Sequence, residues 1–569
     1  MVWRSASVSE RKVSHFAKML GVPRIIALLL VRLDIEKDQE AKAFLHPRLK
    51  HLDDPFNLSN LAEAVQRIRQ AMSANERIVV IGDYDVDGIT STALLVHALN
   101  SFGIYPDFTV PRRSGEGYGL SMAVIDRALN GKPAGLVVAV DCGTNSVEEV
   151  RHIKSQGADV IIIDHHRRTC EEPISAILVN PHVNDGEDEP WKNLCSVGLV
   201  FKLVHGIVKA LRQDGDKTAF KIELKEYLDL VAMGTIADLV PLVGENRILA
   251  HRGLKMLEST RREGLRALFQ VSGMEMGHPI TPTDISFKLG PRINASGRLA
   301  DAEVSVKMLL SRNLPHCVDM ARELDLMNKE RQEIERSIVE EADAYIEQHL
   351  QGAFGYVLHN PDWHSGVVGI VAGRLSRKHN TPTIVLGQED QLAKGSGRSV
   401  PGVNLVEVLG ECSDLLESWG GHPMATGVSL DTSNVEAFQA AFDAAVKQAL
   451  EGEPFERVIE IAAYIAADDI CQEFMDTVGL LNPFGEGNPE PVFGLRRIQL
   501  AKGPEPFGAN HFRFCIRSGR GTYLSGVAWK KADNLPPSGA FIDLAVKLNW
   551  NVFNGRRSLQ MELLDWKLS

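Results

Sequence analysis

The 569-residue chain is poor in cysteine, and it lacks long apolar runs and low-complexity tracts. Its seven cysteines (Cys142, Cys170, Cys195, Cys317, Cys412, Cys471 and Cys515) are scattered, with no two at metal-ligand spacing. That argues against a disulfide framework and a structural zinc site, and points to reduced core thiols. The early apolar run Ile25–Val31 falls far short of a bilayer span and is bracketed by Arg24 and Arg32. Arg4, Glu10, Arg11 and Lys12 stand where a cleavable signal would be apolar, so a cytoplasmic protein with no membrane partner is expected. Glycine and proline are near average, which excludes collagen-like or linker-like chains. A net charge of −12 with 44% hydrophobic residues excludes wholesale disorder, and the length predicts three or four domains.

The acidic balance is not uniform. From Ala501 to Ser569 there are ten Lys/Arg against five Asp/Glu, a local charge of +5, and nine of the 36 aromatics. Residues 1 to about 50 read as a helical lead-in broken at His46-Pro47. Short β-branched runs at Ile78–Ile81, Leu136–Val140 and Val160–Ile163 alternate with helical stretches, the pattern of a parallel sheet covered on both faces. Leu228–Ala237 has helical apolar spacing. Leu314–Leu350 lacks internal breakers after Pro315 and predicts one long helix joining two domains. Strands at Tyr356–Leu358 and Thr383–Leu386, with helices at Val367–His379 and Val435–Leu450, form a second α/β unit. Beyond Pro454, short runs punctuated by Gly, Pro and Asn suit a small β-barrel.

Chemistry concentrates where the first strands end. Ile78–Ile81 runs into Asp83-Tyr84-Asp85-Val86-Asp87-Gly88, Leu136–Val140 into Asp141, and Val160–Ile163 into Asp164-His165-His166. Asp238 follows Gly234-Thr235-Ile236-Ala237. Open parallel sheets place their ligand crevice at these C-terminal strand ends. One Asp there is usually a helix cap, and Asp83/Asp85/Asp87 taken alone look like a calcium loop without its distal glutamate. Four clusters at equivalent positions instead call for cations to neutralise them. Oxygen and imidazole donors suit Mn²⁺ or Mg²⁺, in number enough for two ions that would hydrolyse a phosphodiester.

The ordered set of Asp83–Gly88, Asp164-His165-His166 and Gly420-Gly421-His422 resembles the DHH phosphoesterase superfamily. Gly234–Asp238 and Pro291-Arg292-Ile293-Asn294-Ala295-Ser296-Gly297-Arg298 narrow the resemblance to the RecJ family of single-strand-specific 5′→3′ DNA exonucleases. The resemblance implies a lead-in over 1–56, a parallel-sheet catalytic domain over 57–310 and a connecting helix over 311–350. It further implies a DHH-associated α/β domain over 351–453 and an oligonucleotide-binding barrel over 454–569. It makes Asp85, Asp87, Asp141, His165, His166 and Asp238 the expected metal ligands, with Asp83 at the site. Asp141 is expected to bridge two ions, and Asp164 to orient a neighbouring histidine. Many relatives carry a histidine four residues before the first ligand; here that position is Ile81.

Phosphate or DNA contacts are expected from Arg292, Asn294, Ser296 and Arg298, and from His364-Ser365-Gly366 at the start of a predicted helix. The predicted loops Ser396-Gly397-Arg398-Ser399 and Gly420-Gly421-His422 join them, with Arg112, Arg113 and Tyr118 as lesser candidates. Phe512-Arg513-Phe514 and Asn549–Arg557, including Arg556 and Arg557, pair aromatics with cations as single-strand binding requires. The implied activity is release of 5′ mononucleotides from single-stranded DNA in recombination and mismatch repair, alongside a helicase and single-strand binding protein. The rival readings are a phosphodiesterase for short oligonucleotides or cyclic dinucleotides, and a noncatalytic DNA-binding member of the same fold.

Overall fold

The computed structural model describes every residue except 113–115, 118, 172, 174, 454–455 and 554–555. Its first sheet has five parallel strands in the spatial order Asp107–Thr109, Ile78–Ile81, Leu136–Val140, Asp159–Ile163 and Ile177–Val179. Side chains alternate between two buried faces, as a period of two requires. Ile78 and Val80 join the core beneath helices Val86–Ser101, Ser196–Gln213 and Leu228–Ala237, while Val79 and Ile81 join that beneath Met122–Leu129 and Val147–Ser155. After Ile78–Ile81 the chain first adds a strand on one side, then crosses to the other with Leu136–Val140. The order therefore reverses between these two strands, and their C-terminal ends flank the crevice that such a reversal opens.

Helix Leu314–His349, capped by Asn313, carries the chain to the second domain. There the strand order is Ser418–His422, Ala425–Asp431, Leu392–Arg398, Thr383–Glu389, Tyr356–His359, and only the last pair is parallel. Two carboxylates of the long helix bind this domain: Glu335 pairs with Arg374, and Asp343 with Lys378 and His379. The C-terminal unit is a seven-stranded mixed sheet from Ala463–Tyr464 at one edge to Leu500–Phe507 at the other. No backbone pairing among the described residues joins those edges, so the expected barrel is an open sheet at the level of its ladder.

The lead-in is not a separate body. Val2–Arg4 pairs in parallel with Val458–Glu460, and helices Glu10–Leu20, Arg24–Arg32 and Asp38–Leu45 follow. Val13, Phe16, Ile26, Leu30 and Phe44 share one core with Leu495, Phe512, Phe514, Leu544 and Met561 of the C-terminal sheet. The apolar run Ile25–Val31 needs a partner surface, and the sheet supplies it. All seven cysteines are free; Cys142, Cys195, Cys317 and Cys412 are buried, but Cys170 and Cys471 are exposed, against the expectation of core thiols throughout. Among the described residues, no helix is long and apolar enough to cross a membrane.

Phe16→Ala removes a fully buried ring from this shared core. It should lower stability by about 3–5 kcal/mol, read as an earlier urea transition of the C-terminal unit with the first sheet's transition unmoved.

Candidate metal centre and nucleic-acid cleft

Each acid at the crevice is held by a local device. Asp85 caps helix Val86–Ser101 and accepts from the Gly88 amide at 3.0 Å. Gly88 packs so tightly that a Cβ there would sit 2.5 Å from the Asp83 carbonyl oxygen. Asp87, buried on the first turn, accepts from the Ser196 and Val197 amides at 2.7 and 2.9 Å, the exposed donors of another helix N-terminus. Asp141 leaves its strand with φ +64°, a left-handed conformation that costs energy in a residue bearing a side chain, and accepts from Ser196 Oγ at 2.9 Å. Asp164 accepts from the His165 and His166 amides and from His166 Nδ1 at 2.7 Å, which leaves Nε2 as the open nitrogen of that ring.

His165 is the hub. Its Nε2 lies 3.5 Å from Asp141, 3.5 Å from Asp238 and 3.8 Å from Asp87. These are too long for hydrogen bonds, and both His165 Nε2 and Asp238 Oδ2 are buried without a partner. One ligand atom from each of Asp141, His165 and His166 lies within 4.8 Å of the others, and the same holds for Asp87, His165 and Asp238. Asp83 and Asp85 complete the acidic surroundings.

The electrostatics express that crowding. Burial, then the neighbouring Asp85, pushes Asp83 and Asp87 up to about 7. Burial with Asp87 and Asp85 pushes Asp238 up to about 9, and burial with the same carboxylates raises Asp141 well above its usual range. Burial and the charge of His166 lower His165 to about 3, so that ring is neutral and able to ligate. Burial alone would lower His166 and raise Asp164, but their mutual attraction reverses both. A divalent cation fits this donor set: hard oxygens, neutral imidazole and two orphaned buried ligand atoms that it would satisfy.

The substrate candidates divide. Arg298, Ser396 and Arg398 line a cleft of about 360 Å³ between the two α/β domains, with Tyr84, Gly369 and Arg377, and no carboxylate is among its described lining residues. Arg298 Nη1 spans the junction by donating to the Gly366 carbonyl at 2.9 Å. The polar run 291–298 is part of helix Gly290–Leu299, not an open segment. Arg292 is committed to Asp325 at 2.8 Å, and Ser296 is fully buried, donating to the Ile293 carbonyl. Asn294 is half-buried with its Oδ1 unpartnered. His364 is exposed and its Nδ1 takes the Gly366 amide at 3.0 Å, so that amide is not offered to a phosphate; the helix itself begins at Val368. Ser365 is half-buried beside it.

The two glycine-rich loops are strands. Ser396, Gly397 and Arg398 end Leu392–Arg398, while Gly420, Gly421 and His422 end the exposed edge strand Ser418–His422. Gly421 has φ +139°, and a Cβ there would meet the Ala425 carbonyl oxygen at 2.4 Å, so close pairing explains the glycine. The charge of His422, in the second domain, is the last of the contributions that lower His165.

Arg112 is engaged by Asp301 at 3.1 Å, and Arg113 and Tyr118 lie outside the described residues. In the C-terminal sheet Phe512 and Phe514 are core residues, correcting their reading as stacking rings. Exposed aromatics of this unit include Tyr523, Phe541 and Trp529, the last clustered with Phe507 and His511, while Trp550 is half-buried against the core with the Arg557 guanidinium over its ring at 3.8 Å. The Arg556 side chain is outside the described residues. Sequence reasoning missed Ser196, Thr144 and Asn180. Thr144 donates its amide to Asp164, and Asn180 Nδ2 donates to the His166 carbonyl at 2.8 Å.

Family models match three parts of the chain: the DHH family N-terminal domain at residues 77–235, the DHHA1 domain at 350–448 and the RecJ OB domain at 461–565. The chain is 35% identical to the single-stranded-DNA-specific exonuclease RecJ of Bacillus subtilis (strain 168), covering 100% of this chain and 71% of that one. It is 34% identical to the Escherichia coli (strain K12) protein of the same name, covering 97% of each. Among solved structures, RecJ from Thermus thermophilus in complex with Mn²⁺ superimposes with a TM-score of 0.83 at 28% identity, covering 100% of this chain and 80% of that one. The same protein in complex with Mg²⁺ gives 0.76 at 27% identity, covering 100% and 78%.

The raised carboxyls define a pH dependence. A carboxyl that titrates higher in the folded than in the unfolded chain keeps its proton on folding, so the metal-free site costs stability as pH climbs above the ordinary carboxylate range. A cation must displace those protons. The rise in Tm caused by Mn²⁺ should therefore be small near about pH 5 and grow toward about pH 9. Differential scanning calorimetry with and without Mn²⁺ measures it, and a pH-independent difference would contradict the assignment.

Proposed function

The chain belongs to the RecJ family of single-stranded-DNA-specific exonucleases, and from that premise we propose that it removes 5′ mononucleotides from single-stranded DNA at the cluster centred on His165. The observation that carries the siting is the pair of buried, unpartnered ligand atoms, His165 Nε2 and Asp238 Oδ2, facing each other at 3.5 Å amid four further carboxylates. The enzyme is a metal-dependent hydrolase, and this intact donor set speaks against a noncatalytic role.

Asp85, Asp87, Asp141, His165, His166 and Asp238 would hold the Mn²⁺ or Mg²⁺, with Asp83 at the site. Bound divalent metal supplies Lewis acidity for attack of water on the phosphodiester. The chain's own residues set the geometry for that step. Ser196 fixes the Asp141 carboxylate through Oγ and the Asp87 carboxylate through its amide. Asp164 locks the His166 ring by its Nδ1. His422, at the end of the exposed edge strand Ser418–His422, is a candidate to meet the scissile phosphate. Arg298, Arg377 and Arg398 hold a strand phosphate in the interdomain cleft, where guanidinium forks match phosphate oxygens. Farther along the strand, bases stack on Trp550 and Trp529, and Arg557 neutralises the backbone.

The strand enters by its 5′ end in this reading, which rests on family membership. The same membership supports work in recombination and mismatch repair beside a helicase and a single-strand binding protein. Seven unpaired cysteines suit the reducing cytoplasm.

The test is digestion of end-labelled strands. A 5′-labelled single strand should yield labelled mononucleotide in the earliest samples with Mn²⁺ or Mg²⁺ and nothing in excess chelator; equal attack on blunt duplex, or first loss of a 3′ label, rejects the assignment. Asp141→Ala should reduce turnover by about three orders of magnitude, roughly 4 kcal/mol, with its circular dichroism unchanged. Arg398→Ala separates grip from chemistry. It should raise KM for DNA by about tenfold, in line with loss of a charged hydrogen bond, and leave kcat nearly as it was. Arg557→Ala should weaken single-strand affinity and flatten its salt dependence in a filter-binding series.

A further inference from the structure

Asp238 stands apart from the other acids. Asp87 is gripped by two amides and Asp141 by a serine hydroxyl, whereas Asp238 Oδ2 is buried with no hydrogen bond. A carboxylate beside other carboxylates moves away unless its backbone is held. The backbone on its C-terminal side is strained: Leu239 has φ +62°, unusual for a bulky residue, and its side chain is exposed. Something beyond Leu239 must hold the loop 239–243.

That loop is clamped from two sides. The C-terminal unit grips it directly: the Leu242 amide donates to the Glu486 carbonyl at 2.7 Å, and Gly487 sits so close that a Cβ would lie 3.0 Å from Pro241. Helix Gly244–Leu257 then begins with Glu245-Asn246-Arg247, three polar residues that are all buried. Asn246 Nδ2 donates back to the Pro241 carbonyl at 3.1 Å and to the Asn193 carbonyl, just ahead of the helix whose amides hold Asp87. Glu245 pairs with buried Lys202 of that same helix at 2.8 Å.

Arg247 has no carboxylate partner among the described residues. Its guanidinium donates to backbone carbonyls alone: Phe44 at 2.8 Å, Asn482 at 3.0 Å, and Leu480 and Pro483 at 3.4 Å, with the Phe44 ring stacked at 3.7 Å. A cation buried at this cost draws the lead-in and the 480–488 turn of the C-terminal unit onto the start of the helix. Asn488 fixes that turn by donating to the Leu481 and Pro483 carbonyls, both at 2.8 Å.

We propose that Arg247 is a positioning residue for the metal centre: by seating the C-terminal unit against loop 239–243, it holds the Asp238 carboxylate in the cluster. Metal occupancy then depends on a contact remote from every ligand. This rests on Asp238 being a ligand, as proposed above.

The experiment measures Mn²⁺ binding to metal-free full-length protein by calorimetry, with circular dichroism to confirm folding. Arg247→Met keeps the bulk and removes the donors; it should weaken Mn²⁺ affinity about tenfold and raise the Mn²⁺ concentration for half-maximal cleavage alike, with kcat at saturating Mn²⁺ close to that of the parent. Arg247→Lys should recover part of the affinity. Gly487→Ala strains the turn at φ +68° and crowds Pro241 without touching the buried cation; it should weaken affinity in the same direction, which keeps the test alive if Arg247→Met does not fold. A folded Arg247→Met, or failing that a folded Gly487→Ala, with parental Mn²⁺ affinity overturns the proposal. Asp238→Ala is the control. Loss of affinity in Asp238→Ala beside parental affinity in the folded clamp variants refutes the positioning role alone. Parental affinity in Asp238→Ala refutes both that role and the ligand assignment.

Discussion

Mutual repulsion among carboxylates at one end of a parallel sheet is the constraint from which the rest of this structure follows. Asp83, Asp85, Asp87, Asp141 and Asp238 converge where the strand order reverses, and without a counter-charge burial and mutual repulsion raise the carboxyls of Asp83, Asp87, Asp141 and Asp238 above the usual range. Keeping them together demands rigid backbone on every side. The cap at Asp85, the helix N-terminus behind Asp87, the left-handed turn at Asp141 and the clamp beyond Asp238 are four separate answers to the same force. The histidines complete the arrangement. One is neutral because it is buried, and the other has its ring fixed by Asp164.

How much of this is legible in the sequence depends on distance along the chain. The crevice is legible because each β-branched run abuts its own acid: Ile81 and Asp83, Val140 and Asp141, Ile163 and Asp164. The long helix Leu314–His349 is legible because nothing after Pro315 can break it. Ser196 is not, since a serine opening an apolar helix looks like any cap until Asp87 and Asp141 are brought to it from 109 and 55 residues away. The Ser296 hydroxyl and Arg292 guanidinium look available in a list of polar residues, yet one faces a core and the other an aspartate on the connecting helix. Glycine runs mislead in a similar way. Gly397 and Gly421 suggest loops, but here they let strands approach more closely than a side chain would permit.

Charge is partitioned between the units. The first domain gathers acids for metal, the interdomain cleft gathers three arginines for phosphate, and the last unit carries outward rings with adjoining cations. In the proposed reading, a single strand passing along these surfaces would meet nonspecific grip, then a phosphate anchor, then chemistry. Neither the anchor nor the acidic cluster is confined to one domain: Arg298 reaches Gly366, and the 480–488 turn props the loop after Asp238.

The core shared by Phe16, Ile26 and Leu30 with the C-terminal sheet also orders events during synthesis. Leu45 and Ala463 are more than 400 residues apart. At about 5–20 residues per second, the three leading helices wait roughly 20–80 s on the ribosome before the strands that cover them exist. In that interval the leading helices have only one another to pack on and lack the sheet that covers them, while both α/β domains are already free to fold. The nascent chain thus carries an incompletely covered apolar leading segment until its last strands are made.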